Sequence, residues 1–323
     1  MIHPKEQVYY EVPLHSLRVE SMPLFNIFTK IDDTYVKYHE CGQPFTEEIY
    51  KKLIVKNVEK IYVPVNDGEY YSRYVVDNLS DILKIEEITI PERAQFTHAA
   101  LTGLGQILFE HPKFKIAQHF KFSVSKLTGF ILKHDEAIGY LICLTSHDFS
   151  LTIHSINVGI YASGLARKLL TEGGSHDMES IAAGFFLHDI GKCMTPQSII
   201  NKPGPLTHNE WRVLRQHPTE GFKLLNQFKI YNDDIKAIVM QHHERHNGKG
   251  YPFGLRENEI HIYSKICALA DAFEALTSYR PYRKGINSAF TALLTLKKEM
   301  SKEFEPRFFQ QFVLMFRNAN STL

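Results

Sequence analysis

A histidine followed directly by an aspartate, His188-Asp189, ends the apolar run Ile181 to Leu187 and continues as Ile190-Gly191-Lys192. Both side chains suit a metal ion, because carboxylate oxygens can bridge two ions while an imidazole caps one. Gly191 can end or kink the helix and return Lys192 toward the same place. Alone, the dipeptide is also explained as a solvated helix end. His242-His243-Glu244 is a second signal. Neighbouring helical residues diverge by about 100°. Two adjacent imidazoles therefore converge on one ion only at a helix end or kink, which Gly248 and Gly250 permit; otherwise they are unrelated surface groups. Asp271 lies inside an apolar helix, ICALADAFEALTS, where an unpaired carboxylate is costly to bury. It either ligates a cation or pairs with an arginine such as Arg280. His154, early in HSINVGIYASGLARKLL, and His217, in RQHPTEG, complete the set. Either of these singly is more commonly a core or surface histidine.

The chain has 17 histidines, and seven of them fall between His188 and His261, which concentrates the metal-type chemistry in one stretch. The formal charge of +1 supplies no global field toward a nucleic-acid polymer or a membrane, so an anionic ligand must be held by local charges. Cys41, Cys143, Cys193 and Cys267 are widely spaced, contain no CxxC pair and read as reduced thiols of a cytoplasmic protein. The opening MIHPKEQVYYEVPL lacks the apolar core of a signal peptide, and no run of 18 apolar residues predicts a transmembrane helix.

These residues need a helical scaffold, and the sequence divides accordingly. Residues 1–90 read as a small α/β domain. VYYEVPLHSL and PLFNIFTKID are strand-like, Asp32-Asp33 marks a turn before TYVKYHE, and KIYVPV is a strand closed by Asn66-Asp67-Gly68. Phe45 to Val58 has helical spacing with Thr46 as N-cap. The aromatic residues Tyr9, Tyr10, Phe25, Phe28, Tyr35 and Tyr38 are expected in the core rather than on a binding surface. From Pro91-Glu92 helical periodicity takes over, with a linking region to about 145 and a helical domain over 146–323. The main loops are Gly173-Gly174, Lys202 to Pro205 and Asn247 to Gly254. The fold class is thus α+β overall, with the α/β domain followed by an all-α bundle.

Taken in order, His154, His188-Asp189, His217, His242-His243 and Asp271 resemble the ligand series of the HD-GYP family of metal-dependent phosphohydrolases. HHERHNGKGYP at 242–252 is the most specific block, and LHDIGK, IINKPGPLT, RQHPTEG and DAFEALTSYRPYRK match as well. The resemblance covers about 146–318, and the first 90 residues only weakly resemble domains that precede such modules.

The resemblance implies a helical bundle in which Asp189 bridges two ions. His154, His188 and Asp271 complete one, and His217, His242 and His243 the other. The donors are nitrogen and carboxylate oxygen without sulfur. That fits iron, the family-based first choice, or manganese, and zinc, cobalt or nickel less decisively. Two such cations acidify water held between them and neutralise phosphate charge during in-line attack. The implied activity is hydrolysis of cyclic di-GMP to pGpG, or on to GMP. A receptor that binds the dinucleotide without turnover, or a phosphodiesterase for another cyclic dinucleotide, are the alternatives. Lys192 matches a lysine that contacts the phosphate or assists the leaving oxygen. Arg280 and Arg283 match positions that hold phosphate or guanine, for which a planar guanidinium is suited. Tyr251, in the Gly250-Tyr251-Pro252 loop, either bonds near the phosphate or takes part in binding protein partners; a homodimer is compatible with the sequence. Some relatives carry a glutamate four residues before the first histidine, supporting a third metal. Ser150 stands there in this chain, which predicts a two-metal centre. Residues 1–90 carry no recognised ligand motif and are expected to regulate or sense.

Overall fold

The computed structural model describes residues 8–146, 150–170, 175–230, 232–279, 288–299 and 303–319. Two compact units divide the chain, Met1–Lys126 and Leu127–Leu323. The first unit holds a four-stranded sheet in the order β1-β4-β2-β3, with β1 at Tyr9–Pro13, β2 at Ile27–Ile31, β3 at Thr34–His39 and β4 at Lys60–Pro64. All three strand pairs are antiparallel. Asp32 and Asp33 both take positive φ, 46° and 64°, and close the tight β2–β3 hairpin as the sequence indicates.

Alternation along the strands separates two faces. Tyr10, Val12, Ile27, Ile61 and Val63 point into the core. Tyr9 stacks on Tyr35 at 4.2 Å and meets Phe28 edge-on at 4.9 Å, while Tyr35 packs on Tyr62 at 5.0 Å. Of the aromatic residues expected in the core, only Tyr10 and Phe25 are buried; Tyr9, Phe28 and Tyr38 are half-buried and Tyr35 is exposed. Adjacent tyrosines on one strand must face opposite sides, so they cannot share one core.

Thr46 caps α1 (Glu47–Val55) by accepting the Ile49 N–H, as its sequence predicts. Helix α2 (Gly68–Ile82) starts directly on the Asn66–Gly68 turn. It buries Tyr71, Val75, Leu79 and Ile82, a stripe at helical spacing. Helix α3 (Ile90–Glu110) opens with a capping box between Thr89 and Glu92 and has Pro91 in its first turn. The division between the units falls within α4 (Phe114–Lys133).

The second unit continues with α5 (Ala137–Cys143), α6 (Leu151–Leu170), α7 (Met178–Leu187), α8 (Gln197–Ile200), α9 (His208–Leu214) and α10 (His217–Gln227). After them come α11 (Asp233–Gln241), α12 (Ile262–Thr277), α13 (Ala289–Glu299) and α14 (Pro306–Ala319). Helix α6 packs against α7 and α12, and α7 against α11. Among the described residues no helix is long and apolar enough to cross a membrane.

Candidate metal centre

Four of the five histidines singled out by sequence sit at helix ends, where a side chain can turn inward without losing the helix. His154 lies in the first turn of α6, His188 follows the last residue of α7, His217 opens α10 and His242 follows α11. The fifth, His243, follows His242 just beyond α11, while Asp271 lies in mid-α12. Asp177 caps the start of α7 and Asn232 that of α11, each accepting a backbone N–H three residues on. A 3-10 turn at Ile190–Met194 then folds back onto α10. Gly191 makes this approach feasible, because a Cβ there would lie 1.9 Å from the His217 carbonyl oxygen. The contact brings His217 beside Asp189.

The result is two ligand groups, one of Asp189, His217, His242 and His243, the other of His154, His188 and Asp271. Within each group the donor atoms lie within 4.8 Å of one another. Asp189 faces both. Its Oδ2 is 3.1 Å from His154 Nε2 and 3.4 Å from His188 Nε2. Its Oδ1 is 3.2 Å from His217 Nε2 and 3.6 Å from His242 Nε2. Asp271 Oδ1 is 3.4 Å from His154 Nε2, and its Oδ2 is 3.7 Å from His243 Nδ1, so His243 stands between the groups. Arg280, the alternative partner of Asp271, lies outside the described residues, as does Arg283.

Backbone carbonyls hold three of the rings by their far nitrogens: His188 Nδ1 to Phe185 at 2.8 Å, His217 Nδ1 to Leu214 at 2.8 Å and His242 Nδ1 to Val239 at 3.0 Å. The Nε2 atoms thereby point at the centre. His188 Nε2 and Asp189 Oδ1 are buried and no hydrogen bond satisfies either among the described residues. Buried polar atoms of this kind, in a set of imidazole nitrogens and carboxylate oxygens, fit divalent cations.

Charge is arranged accordingly. Burial lowers His242 to about 4 and moves His217 and His243 down as well, which leaves these imidazoles neutral and able to ligate. Burial works against ionised Asp189, but Lys192 and the neighbouring histidines outweigh it and hold the carboxyl well below its ordinary value. His154 moves the other way, to about 9, because Glu274 and Asp189 together overcome its burial. The Lys192 ammonium donates to Asp189 Oδ2.

A cavity of about 740 Å³ opens over the centre, lined in part by Ser150, Lys192, Lys202, Trp211, Tyr251 and Leu276. Ser150 accepts the Ile153 N–H at 3.0 Å, so its hydroxyl caps α6 while still lining the cavity. Tyr251 stacks on His243 with ring centroids 4.6 Å apart. The Arg215 guanidinium lies 5.2 Å from the Tyr251 ring and 5.7 Å from that of Trp211. Glu244 pins the loop, its two carboxylate oxygens accepting the Phe253 and Leu255 N–H groups at 2.7 and 2.9 Å. Gly250 rests against the backbone of His243–Arg245, where a Cβ would come within 2.4 Å of Glu244 Cα.

Residues 144–308 match the HD domain family. A cyclic di-GMP phosphodiesterase of Thermotoga maritima is 41% identical over 279 residues, 82% of this chain and 74% of that protein. The chain belongs to the HD domain family, in its HD-GYP form. A cyclic di-GMP phosphodiesterase of Pseudomonas aeruginosa is 34% identical over 190 residues; these are 59% of this chain but only 45% of that longer relative. A 3'3'-cGAMP-specific phosphodiesterase of Vibrio cholerae is 42% identical over 131 residues, 40% of this chain and 30% of the relative. Among solved structures, an HDG"Y"P protein of Bdellovibrio bacteriovorus superposes with a TM-score of 0.70 at 22% identity, covering 96% of this chain and all of that one, and so shares its fold.

The HD-GYP site contains residues that sequence reasoning left without a role. Glu274, Arg215 and Trp211 are among them. Glu274 carried the signal already used for Asp271, an acid in an apolar helix; the Trp211–Arg215–Tyr251 stack depends on packing between α9 and a loop and had no local signal.

Proposed function

We propose that this HD-GYP chain hydrolyses cyclic di-GMP to the linear dinucleotide pGpG. The observation that carries the reading is Asp189, whose two oxygens face separate ligand groups. Two divalent cations, iron first and manganese second, supply phosphate charge neutralisation and water acidification when bound. Asp189 would hold both ions, His154, His188 and Asp271 would complete one site, and His217, His242 and His243 the other. Two cations rather than three follow from Ser150, whose hydroxyl is engaged as a helix cap. Lys192 and Lys202 on the cavity wall offer ammonium groups to the phosphates, and Tyr251 and Trp211 offer aromatic surface. Lys192 is the nearer donor for the oxygen released when the diester opens. Residues 146–323 form the catalytic module, and residues 1–90 regulate it. The free thiols fit a cytoplasmic setting.

A second substrate, 3'3'-cGAMP, is favoured by the Vibrio cholerae relatives named for it. Anaerobic purification, elemental analysis and chromatography of products from both dinucleotides, on one sample, test the proposal. The expected result is two cations per chain and pGpG. Tight binding of cyclic di-GMP without turnover under iron, manganese and zinc would make the protein a receptor instead.

A further inference from the structure

Glu274 is 1% exposed, one turn after Asp271 on α12, and its Oε2 accepts from His154 Nδ1. Its other oxygen accepts from the Ser278 hydroxyl and, at 3.5 Å, from the Asn157 amide. Asn157 also donates that amide to the Ser146 carbonyl at 2.7 Å, so its NH₂ is fixed on the side facing Glu274. Both oxygens of Glu274 therefore face donors. His154 differs here from His188, His217 and His242, whose Nδ1 atoms meet the backbone carbonyls three residues before them.

Resting on the metal-centre reading above, we propose that Glu274 is a positioning residue. It keeps the His154 proton on Nδ1, so that Nε2 completes the cation site formed with His188 and Asp271. A ligating imidazole offers one nitrogen and is oriented by a hydrogen bond from the other. Only a group that accepts at both oxygens satisfies His154 and Asn157 together. In Glu274→Gln the amide oxygen belongs beside Asn157 and Ser278, which turns the amide NH₂ toward His154. The ring then carries its proton on Nε2, the atom needed for the cation. The opposite amide orientation sets two NH₂ groups against each other. The other ligand group meets this network through Asp189 Oδ2, 3.1 Å from His154 Nε2, and keeps its cation on His217, His242 and His243.

The test is Mn²⁺ binding to the full chain, by equilibrium dialysis with elemental analysis and electron paramagnetic resonance. Wild type is expected to hold two ions with a coupled spectrum. E274Q is expected to hold one at unchanged affinity and to bind the second about 10–100-fold more weakly, with an isolated-ion spectrum and a native circular dichroism profile. Two ions at wild-type affinities in E274Q overturn the positioning role and leave the metal-centre reading standing. Equal weakening of both ions overturns its confinement to the His154 side. A wild-type chain that binds no Mn²⁺ overturns the metal-centre reading itself. Should E274Q not fold, Glu274→Asp decides: selective weakening of one ion supports the role, and no change at either overturns it.

Discussion

Two helical histidines, His98 on α3 in the first unit and His154 on α6 in the second, titrate in opposite directions. Burial lowers His98 to about 4, and its Nε2 has no partner among the described residues. His154 is raised to about 9, because Glu274 and Asp189 overcome an unfavourable burial. The neighbours, rather than the residue type, decide the outcome. The first unit scatters single buried polar atoms such as His98 Nε2 and Ser123 Oγ through an apolar core. The second gathers five imidazoles and the carboxylates of Asp189, Asp271 and Glu274 into one cluster. An isolated buried polar group only destabilises. A cluster with complementary donors can have its desolvation offset by cations, which marks the second unit as the place where chemistry is built.

The strongest way to break this contrast is Asp189→Ala. It removes the group shared by both ligand sets, and we expect loss of both cations and at least about a thousandfold less turnover. His98→Leu removes an imidazole of the first unit and should leave turnover and metal content unchanged. Elemental analysis and product assays on the two variants check the pair. Similar losses in both would dissolve the distinction.

The acid stability of the full chain sharpens it. His98 has an ordinary value of 6.5 and a folded value of about 4. Between these values the unfolded chain binds the extra proton, so stability rises with pH across the window and is lost as pH falls from 6.5 toward 4. Complete loss of this contribution amounts to on the order of 3 kcal/mol. Urea unfolding at several pH values should show this slope in wild type and a shallower one in His98→Leu, with the lowered His217, His242 and His243 supplying the rest. An unchanged slope would assign the acid sensitivity to other groups.

Glu244→Ala comes next. It strips the carboxylate acceptor from the part-buried Phe253 and Leu255 N–H bonds, and a hydrogen bond to a charged group contributes about 1.5–3 kcal/mol. We expect a loss of about 2 kcal/mol in thermal unfolding and weaker substrate binding through the freed Tyr251 loop. A stability loss without any change in KM would separate the loop from the cavity.

How much of this was legible in the sequence follows from what kind of signal each residue leaves. Asp271 and the HD pair were readable because polar residues inside apolar helices are costly and therefore informative. Glu274 sat in the same helix with the same signal, yet its partner lies 120 positions away on α6. The HD-GYP blocks indicated the bundle; they did not show which Asp189 oxygen faces which imidazoles, since that depends on the Gly191–His217 approach. In the first unit the Asp32-Asp33 hairpin and the Thr46 cap were local and visible. The sheet's second aromatic face was not, because composition does not say which face meets the core.

The smallest predicted effect compares one local motif in both units. Thr89 and Glu92 form a capping box, with the Thr89 N–H donating to Glu92 at 2.9 Å and the Glu92 N–H to the Thr89 hydroxyl at 3.4 Å. Thr207 and Glu210 form the same box at the start of α9, at 2.6 and 3.3 Å. Replacing either threonine by alanine is expected to cost about 1 kcal/mol of stability, read as a lowered melting temperature. Beyond that the two should part. Glu210 also accepts from Lys202 at 2.6 Å, and Lys202 lines the cavity, whereas Thr89 belongs to a unit without ligand groups among its described residues. Thr207→Ala should therefore raise KM where Thr89→Ala leaves it alone. Matching KM values in the two variants would mean that the cavity wall at Lys202 does not depend on how α9 begins.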